Sequence, residues 1–383
     1  MGAEEGGLRS IKVAIVHDWL VTWAGSERVV AEMLGLLPQA DLFVGVYDPK
    51  LVRERLPGRE VKATFLQRLP GPLRRGFRAL LPLMPMAFEA LDLSGYDLVI
   101  SSSHAFSKCV IPQEGAFHLC YCYTPPRYLW HQRLLYADRV PSPLRPLWLG
   151  ICSYLREVDF SAAQRVDAFV AVSKAAARRV RKFYRKGAEV IYPPVDVEKF
   201  EPSAEHDGFY LCVSRLVPYK RVDIAVEAVK RLGRRLVVVG DGPERRRLEA
   251  IADEKVKFLG RVPDKELIAL YQRSRGLIFP GEEDFGIVMV EAQAAGKPVV
   301  AYGRGGATEI VRHGETGVLF HRQDVGALCE AILEMERGNF DPLTIRRNAE
   351  RFSRERFREE FSSFLLRLLN LPLGALPAGR KHC

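Results

Sequence analysis

The chain has no hydrophobic run approaching the roughly 18 apolar residues that a membrane span requires, so no transmembrane helix is expected. Its seven cysteines form no C-x-x-C pair, and no second ligand pair stands at zinc spacing. Cys120 and Cys122, alternating along a strand pattern, read as buried small hydrophobes, and a reducing, cytoplasmic location fits. The opening MGAEEGG lacks a basic and an apolar region and has no Ser or Thr at position 6, so neither a signal peptide nor myristoylation is expected. There is no basic repeat and no nucleic-acid-binding module, which disfavours a nucleic-acid partner. Acid is nevertheless in deficit: 57 Lys and Arg stand against 47 Asp and Glu, a net charge of +10. That balance asks for another anionic partner, such as a nucleotide, a phosphorylated lipid or a membrane surface.

What is present has the composition of a globular protein, 48% apolar and 27% charged. A length of 383 residues suggests two domains, at roughly 100–200 residues each. Strand-like runs at 11–16, 41–46, 61–66, 97–102, 117–123, 168–172 and 190–192 alternate with helical patterns, and the alternation restarts at 209–213. This predicts α/β architecture with doubly wound parallel sheets. Between the two series, Pro193-Pro194 and the polar run 201–208 read as a linker.

The most informative stretch is GLIFPGEEDFGIVMVEAQAAGKPVV, residues 276–300. A short apolar strand ends at Pro280-Gly281, an acidic loop follows, and a helical pattern begins at Phe285. The amides at Phe285, Gly286 and Ile287 thus open a helix just past a strand end, a geometry suited to an anion. Glu283 precedes that helix and Glu291 lies one to two turns inside it, so both can line one crevice at the sheet's carboxyl end. The alternatives are an acid complementing the helix dipole for Glu283 and a solvated face for Glu291.

Arg215 and Lys220 bracket the loop after the strand 209–213, where two cations can converge on one diphosphate. Gly240-Asp241-Gly242 follows the next strand, but Arg245 stands where a dinucleotide fingerprint needs its third glycine. It reads as a tight turn near a nucleotide, not as an NAD site. In the N-terminal half, Gly25 sits in the loop between the first strand and a helix that Ser26 could cap. His104 follows the strand 97–102 and is a candidate sugar or phosphate contact, the alternative being a local backbone cap. Residues 61–88 carry Lys62, Arg68, Arg74, Arg75 and Arg78 and no acid, interleaved with leucines, a pattern that suits a membrane surface or, alternatively, a helical hairpin over the sheet.

The motifs SRLVPYKR (214–221), VVGDGPERRRLE (238–249), FLGRVPDKEL (258–267), EEDFGIVMVEAQAAGKPVVA (282–301) and GGATEIV (305–311) together resemble the nucleotide-sugar domain of retaining GT-B glycosyltransferases of family 4. VHDWL (16–20), AGSERV (24–29), SSSHAFSK (101–108) and YTPPRYLW (123–130) resemble, more loosely, a subgroup that includes mannosyltransferases of surface-polysaccharide and lipid-linked glycan assembly. The resemblance implies two Rossmann-like domains facing a central cleft: 1–195 for the acceptor and 196–352 for the nucleotide sugar. It further implies a crossover helix at 353–370 packing back on the N-terminal domain; the tail 371–383 is expected to be disordered.

The implied roles fall on matching positions. Glu291 would bind the ribose hydroxyls and Glu283 the sugar. Arg215 and Lys220 would hold the diphosphate, and Arg261 and Val262 would flank the base. Phe285, Gly286 and Ile287 would add backbone contacts, His104 would meet the sugar, and Gly25 would belong to the phosphate-side loop. That loop often carries Gly-Gly in the family, whereas position 24 here is Ala. Glu283, His104, Arg215 and Lys220 make up the implied catalytic set. No D-x-D occurs in the chain, so a metal-free mechanism with no cofactor is expected. The implied reaction moves a hexose, with mannose from GDP-mannose the leading donor, to a glycan or lipid-linked acceptor on the cytoplasmic side of the membrane. The alternatives are a UDP- or dTDP-sugar donor, or a nucleotide-binding protein without transferase activity.

Overall fold

The computed structural model describes residues 11–71 and 76–369, without the side chains of 77–79. Arg74, Arg75 and the Arg78 side chain of the basic stretch, and the tail 371–383, lie outside the described residues. The described chain forms two compact units, one running to Tyr192 and taking in the residues from Arg358 onward, the other Pro193–Phe357.

The first unit is built on β1 (Val13–Leu20), β2 (Asp41–Tyr47), β3 (Val61–Ala63), β4 (Leu98–Ser103), β5 (Phe117–Cys122), β6 (Ala168–Ala171) and β7 (Glu189–Val190). All pair in parallel, in the order β3-β2-β1-β4-β5-β6-β7. The central strands are apolar on both faces because helices cover both, as a parallel sheet requires; Val13, Ala14, Ile15 and Val16 are fully buried in sequence. Cys120 and Cys122 are buried free thiols. From Arg358 on, the last helix (Arg354–Leu368) belongs to this unit, with the Phe361 ring 6.3 Å from that of Tyr121 and Arg358 paired to Glu32 at 2.8 Å.

One buried ion pair crosses this core. Lys108 is bonded to Asp159, and the same carboxylate accepts from Trp130 Nε1 at 2.7 Å and Tyr184 O–H at 2.8 Å. Burial favours the neutral amine, but the Asp159 carboxylate outweighs it and raises the Lys108 pKa. Trp130, at the end of the YTPPRYLW motif, thereby packs against the core, stacked on Phe183 at 4.9 Å.

The second unit holds β8 (Phe209–Val213), β9 (Arg235–Val239), β10 (Val256–Gly260), β11 (Gly276–Phe279), β12 (Val299–Tyr302) and β13 (Gly317–Phe320), parallel and ordered β10-β9-β8-β11-β12-β13. Arg346 ties the entry segment down by donating to the carbonyls of Val197, Phe200 and Ala294. In each unit strand order reverses once, between β1 and β4 and between β8 and β11. At such a reversal the loops leaving neighbouring strands depart in opposite directions, and a crevice opens at the carboxyl end of the sheet.

Candidate functional site

At the β8–β11 reversal the loop after β8 makes one 3-10 turn, Pro218–Lys220. Arg221 then adopts a left-handed conformation, φ 51°, before the helix Val222–Leu232 begins. A non-glycine residue rarely takes that conformation; here the Arg221 guanidinium is held by Asp223 at 3.2 Å. The turn delivers Lys220 to Glu283 in the loop after β11, and the two are ion-paired while each keeps about a seventh of its surface exposed. Lys220, expected at the phosphate, and Glu283, expected at the sugar, thus meet directly, and cation and acid form one unit at the β8–β11 reversal.

Backbone packing fixes that unit. Gly306 N–H donates to the Glu283 carbonyl at 2.8 Å, and Glu283 pairs with Gly305 in an isolated parallel bridge. A Cβ at Gly305 would lie 2.0 Å from the Glu283 carbonyl oxygen, and one at Gly306 would lie 2.1 Å from that of Phe285. Gly281 lies as tightly against Lys220, where a Cβ would come within 2.9 Å of backbone atoms. The Gly240-Asp241-Gly242 turn has the same purpose: Cβ atoms there would stand 2.0 Å from the Ser214 and 2.2 Å from the Leu216 carbonyl oxygens. It braces the loop that carries Arg215, and Leu216 N–H bonds the Asp241 carbonyl at 3.0 Å. Arg215 is exposed, and no acid among the described residues pairs with it.

The helix after Glu283 runs Ile287–Ala294 and so starts two residues later than the pattern predicts. The reason is Gly286, whose φ of +103° is open to glycine and sterically costly for other residues. Phe285 precedes this break as a buried anchor, its ring 5.5 Å from that of Phe352. Among the described residues the amides of Gly286, Ile287 and Val288 have no acceptor. Three such donors at a helix start, with the dipole behind them, favour an anion.

Glu291 is buried and accepts a hydrogen bond from Tyr271 O–H at 2.9 Å. Tyr271 lies on the helix Asp264–Arg273 and is fully buried. Nothing in sequence marked it, because an aromatic on an amphipathic helix reads as core. Arg261 and Val262 follow β10 at the same carboxyl edge, the first exposed and the second half-buried. No hydrogen bond or ion pair recorded among the described residues joins them to the Lys220–Glu283 pair.

The β1–β4 reversal in the other unit holds a cluster that sequence reading saw only through His104 and Gly25. Asp18, at the end of β1, accepts four backbone N–H bonds, from His104 and Ala105 on one oxygen and Phe106 and Ser107 on the other, at 2.7–2.9 Å. Its burial raises the carboxyl pKa, but His104, His17 and these amides outweigh burial and hold it low. His104 Nδ1 lies 3.2 Å from Asp18, and its ring meets Trp19 edge-on at 4.4 Å.

Gly25 begins the helix Gly25–Leu36. Ser26 does not cap it, since it falls inside the first turn; Glu27 reaches back to Ala24 N–H at 3.0 Å instead. Glu27 is buried, 3.7 Å from His17 Nε2. Burial, the largest single influence, raises its pKa, but the hydrogen bond and charge of His17, a backbone N–H and the charge of His104 together outweigh it and hold the carboxyl below its ordinary value.

A carboxylate, an ammonium and helix-end amides stand together at one switch point, a set of groups chemically suited to a diphosphate joined to a hydroxylated group. The family model for glycosyl transferases group 1 matches residues 196–354, and that for Glycosyltransferase Family 4 matches residues 23–199. An uncharacterised glycosyltransferase of Methanocaldococcus jannaschii is 30% identical over 199 residues, 51% of this chain and 56% of that protein. The GDP-mannose-dependent alpha-(1-6)-phosphatidylinositol monomannoside mannosyltransferase of Mycobacterium tuberculosis is 34% identical over 177 residues, 38% of this chain and 46% of that protein. The matches thus span about half the length of these relatives. HepE of Anabaena, in its complex with UDP, superposes with a TM-score of 0.67 at 19% identity, over 93% of this chain and 99% of that one. With family models matching residues 23–199 and 196–354 and a whole-chain likeness in fold to HepE, the chain belongs to the glycosyltransferases of family 4 and has the GT-B fold.

Proposed function

We propose that this protein transfers a hexose, with mannose from GDP-mannose the leading donor, to a hydroxyl of a glycan or lipid-linked acceptor, with retention at the anomeric carbon. The observation that carries the reading is the Lys220–Glu283 pair beside the open amides of Gly286, Ile287 and Val288. The bond from the anomeric carbon to the β-phosphate oxygen breaks, and the acceptor oxygen bonds the same face. The acceptor proton passes to the departing phosphate. Charge grows on the nucleoside diphosphate, where Lys220, Arg215 and the helix-end amides stabilise it. Glu291 holds the ribose and Glu283 the sugar, while Arg261 and Val262 flank the base. His104 approaches the sugar and Gly25 the phosphate side. No D-x-D is available to hold a divalent ion on the diphosphate, so the reaction runs without metal.

The naming of GDP-mannose for the mycobacterial relative favours a GDP donor, and the HepE complex with UDP favours the second reading, a UDP-sugar. A panel of GDP-, UDP- and dTDP-sugars, scored by melting temperature and by transfer in the presence of EDTA, separates them. The expected outcome is stabilisation by GDP and GDP-mannose, EDTA-resistant transfer, and loss of both binding and transfer in Glu291→Ala. Full activity of Glu291→Ala with every donor overturns the site.

A peripheral position on the inner face of the membrane belongs to the same proposal. No helix among the described residues is long and apolar enough to cross a membrane. Leu134, Leu144, Leu147, Tyr154 and Met86 are each more than half exposed. Between Asp138 and Glu157 the chain carries Arg139, Arg145 and Arg156 and no acid, so this surface joins the stretch 61–88 as the lipid-facing one. Flotation with vesicles containing anionic lipid is expected to carry the protein upward, and neutral vesicles far less. Absence from both sinks the membrane assignment and leaves the transfer reaction standing.

A further inference from the structure

We infer that Asp18 is a positioning residue that fixes the tautomer and aim of His104, a role that bears on transfer only if the reading above is right. The carboxylate is fully buried and bonded by four successive amides, from residues 104 to 107, so it cannot rotate away from the loop it organises. His104 Nδ1 faces that fixed charge at 3.2 Å, and the ring keeps a quarter of its surface exposed. A negative charge at Nδ1 favours a proton there, whether the ring is neutral or cationic, and turns Nε2 toward a ligand. Trp19, edge-on at 4.4 Å, blocks rotation of the ring on one side, and Tyr123 at 5.9 Å stands on another.

Other titratable groups near His104 are His17, at 5.8 Å between rings, Tyr123, at 5.9 Å, and Glu27, whose carboxyl feels the charge of both histidines. His17 Nδ1 lies 3.1 Å from Ser102 Oγ, and Ser102 Oγ lies 2.9 Å from Tyr123 O–H, which donates to the Ser26 carbonyl at 3.0 Å. The nearby Lys108 ammonium is spent on Ala105 and Asp159. The cluster therefore holds two carboxylates and two histidines, and Asp18 lies in direct reach of the His104 ring. In VHDWL Asp18 lies near the end of an apolar strand pattern, which is why it reads as a strand end and not as a functional acid.

The test is nitrogen and proton NMR of the His104 ring in the full chain, with and without the substitution Asp18→Asn. In the wild-type protein at high pH the neutral ring is expected to carry its proton on Nδ1. In Asp18→Asn its proton affinity is expected to fall by about tenfold or more, a shift of about one pH unit in the titration, since an adjacent opposite charge is lost. A neutral wild-type ring protonated on Nε2 overturns the inference and needs no variant, so a misfolded Asp18→Asn leaves it open to refutation. An unchanged titration in a folded variant, judged by its amide spectrum, reduces Asp18 to a loop anchor and also overturns it. In transfer assays, Asp18→Asn is expected to lower kcat at least tenfold in the wild-type background and to cost little further in His104→Gln, because coupled residues do not add. These NMR outcomes are independent of any donor, so failure of the transfer reading and failure of this inference are told apart.

Discussion

Lys220→Ala is expected to lower kcat/KM for the nucleotide sugar by about 10²–10³, the usual loss when one donor to a developing oxyanion is removed. In the proposed reaction the effect falls mainly on kcat, because charge on the leaving diphosphate is larger in the transition state than in the bound donor. A second contribution comes from Glu283, which loses its cation within an acidic loop, Glu282-Glu283-Asp284. Lys220→Arg keeps the charge but swaps a compact ammonium for a planar fork in a turn closed by Gly281, so partial recovery is expected. Steady-state kinetics with the preferred donor decide it, and wild-type kcat/KM in Lys220→Ala removes Lys220 from the site.

Gly306→Ala is the second large effect, and it acts without removing any functional group. The added Cβ would stand 2.1, 2.5 and 2.6 Å from the Phe285 carbonyl oxygen, Cα and carbonyl carbon. These are backbone atoms, so either the loop after β12 or the segment Glu283–Phe285 must move. Overpacking of this kind costs about 1–3 kcal/mol, which is tolerable for a domain of this size. Displacement of Glu283 is more damaging, since a misplacement of about 1 Å can cost on the order of 100-fold in rate. The expected result is a folded protein, a melting temperature lower by a few degrees, and kcat/KM down by about 100-fold or more. Unchanged kinetics would show that the contact does not set the position of Glu283.

The structural meaning of the glycine motifs was only partly legible in sequence. Gly240-Asp241-Gly242 was readable as a turn, yet its two glycines exist to let the backbone of Ser214 and Leu216 pass within van der Waals range. That partner lies some twenty-five residues earlier, so no local pattern reveals it. Gly305 and Gly306 do the same for Glu283 and Phe285, again across two strands. Tyr271 and Asp18 were missed for a related reason. Each is a buried polar group whose acceptor or donors come from another element, and burial of this kind looks like ordinary core until the partners are seen.

By itself the sequence determined the alternation of strands and helices, the two doubly wound units and the strand ends at which Glu283, Glu291, Arg215, Lys220 and His104 stand. These follow from periodicity and punctuation, which act over a few residues. It also determined that no D-x-D exists to place a metal. Only the tertiary structure decided which of those residues meet. Strand order brings β8 beside β11 and β1 beside β4, although some 60 and 80 residues separate them in the chain. That neighbourhood puts Lys220 on Glu283 and Asp18 under His104. Pairing of distant strands is set by burial summed over the whole sheet, so the contacts that make the site are a property of the packed fold and not of any one stretch of sequence.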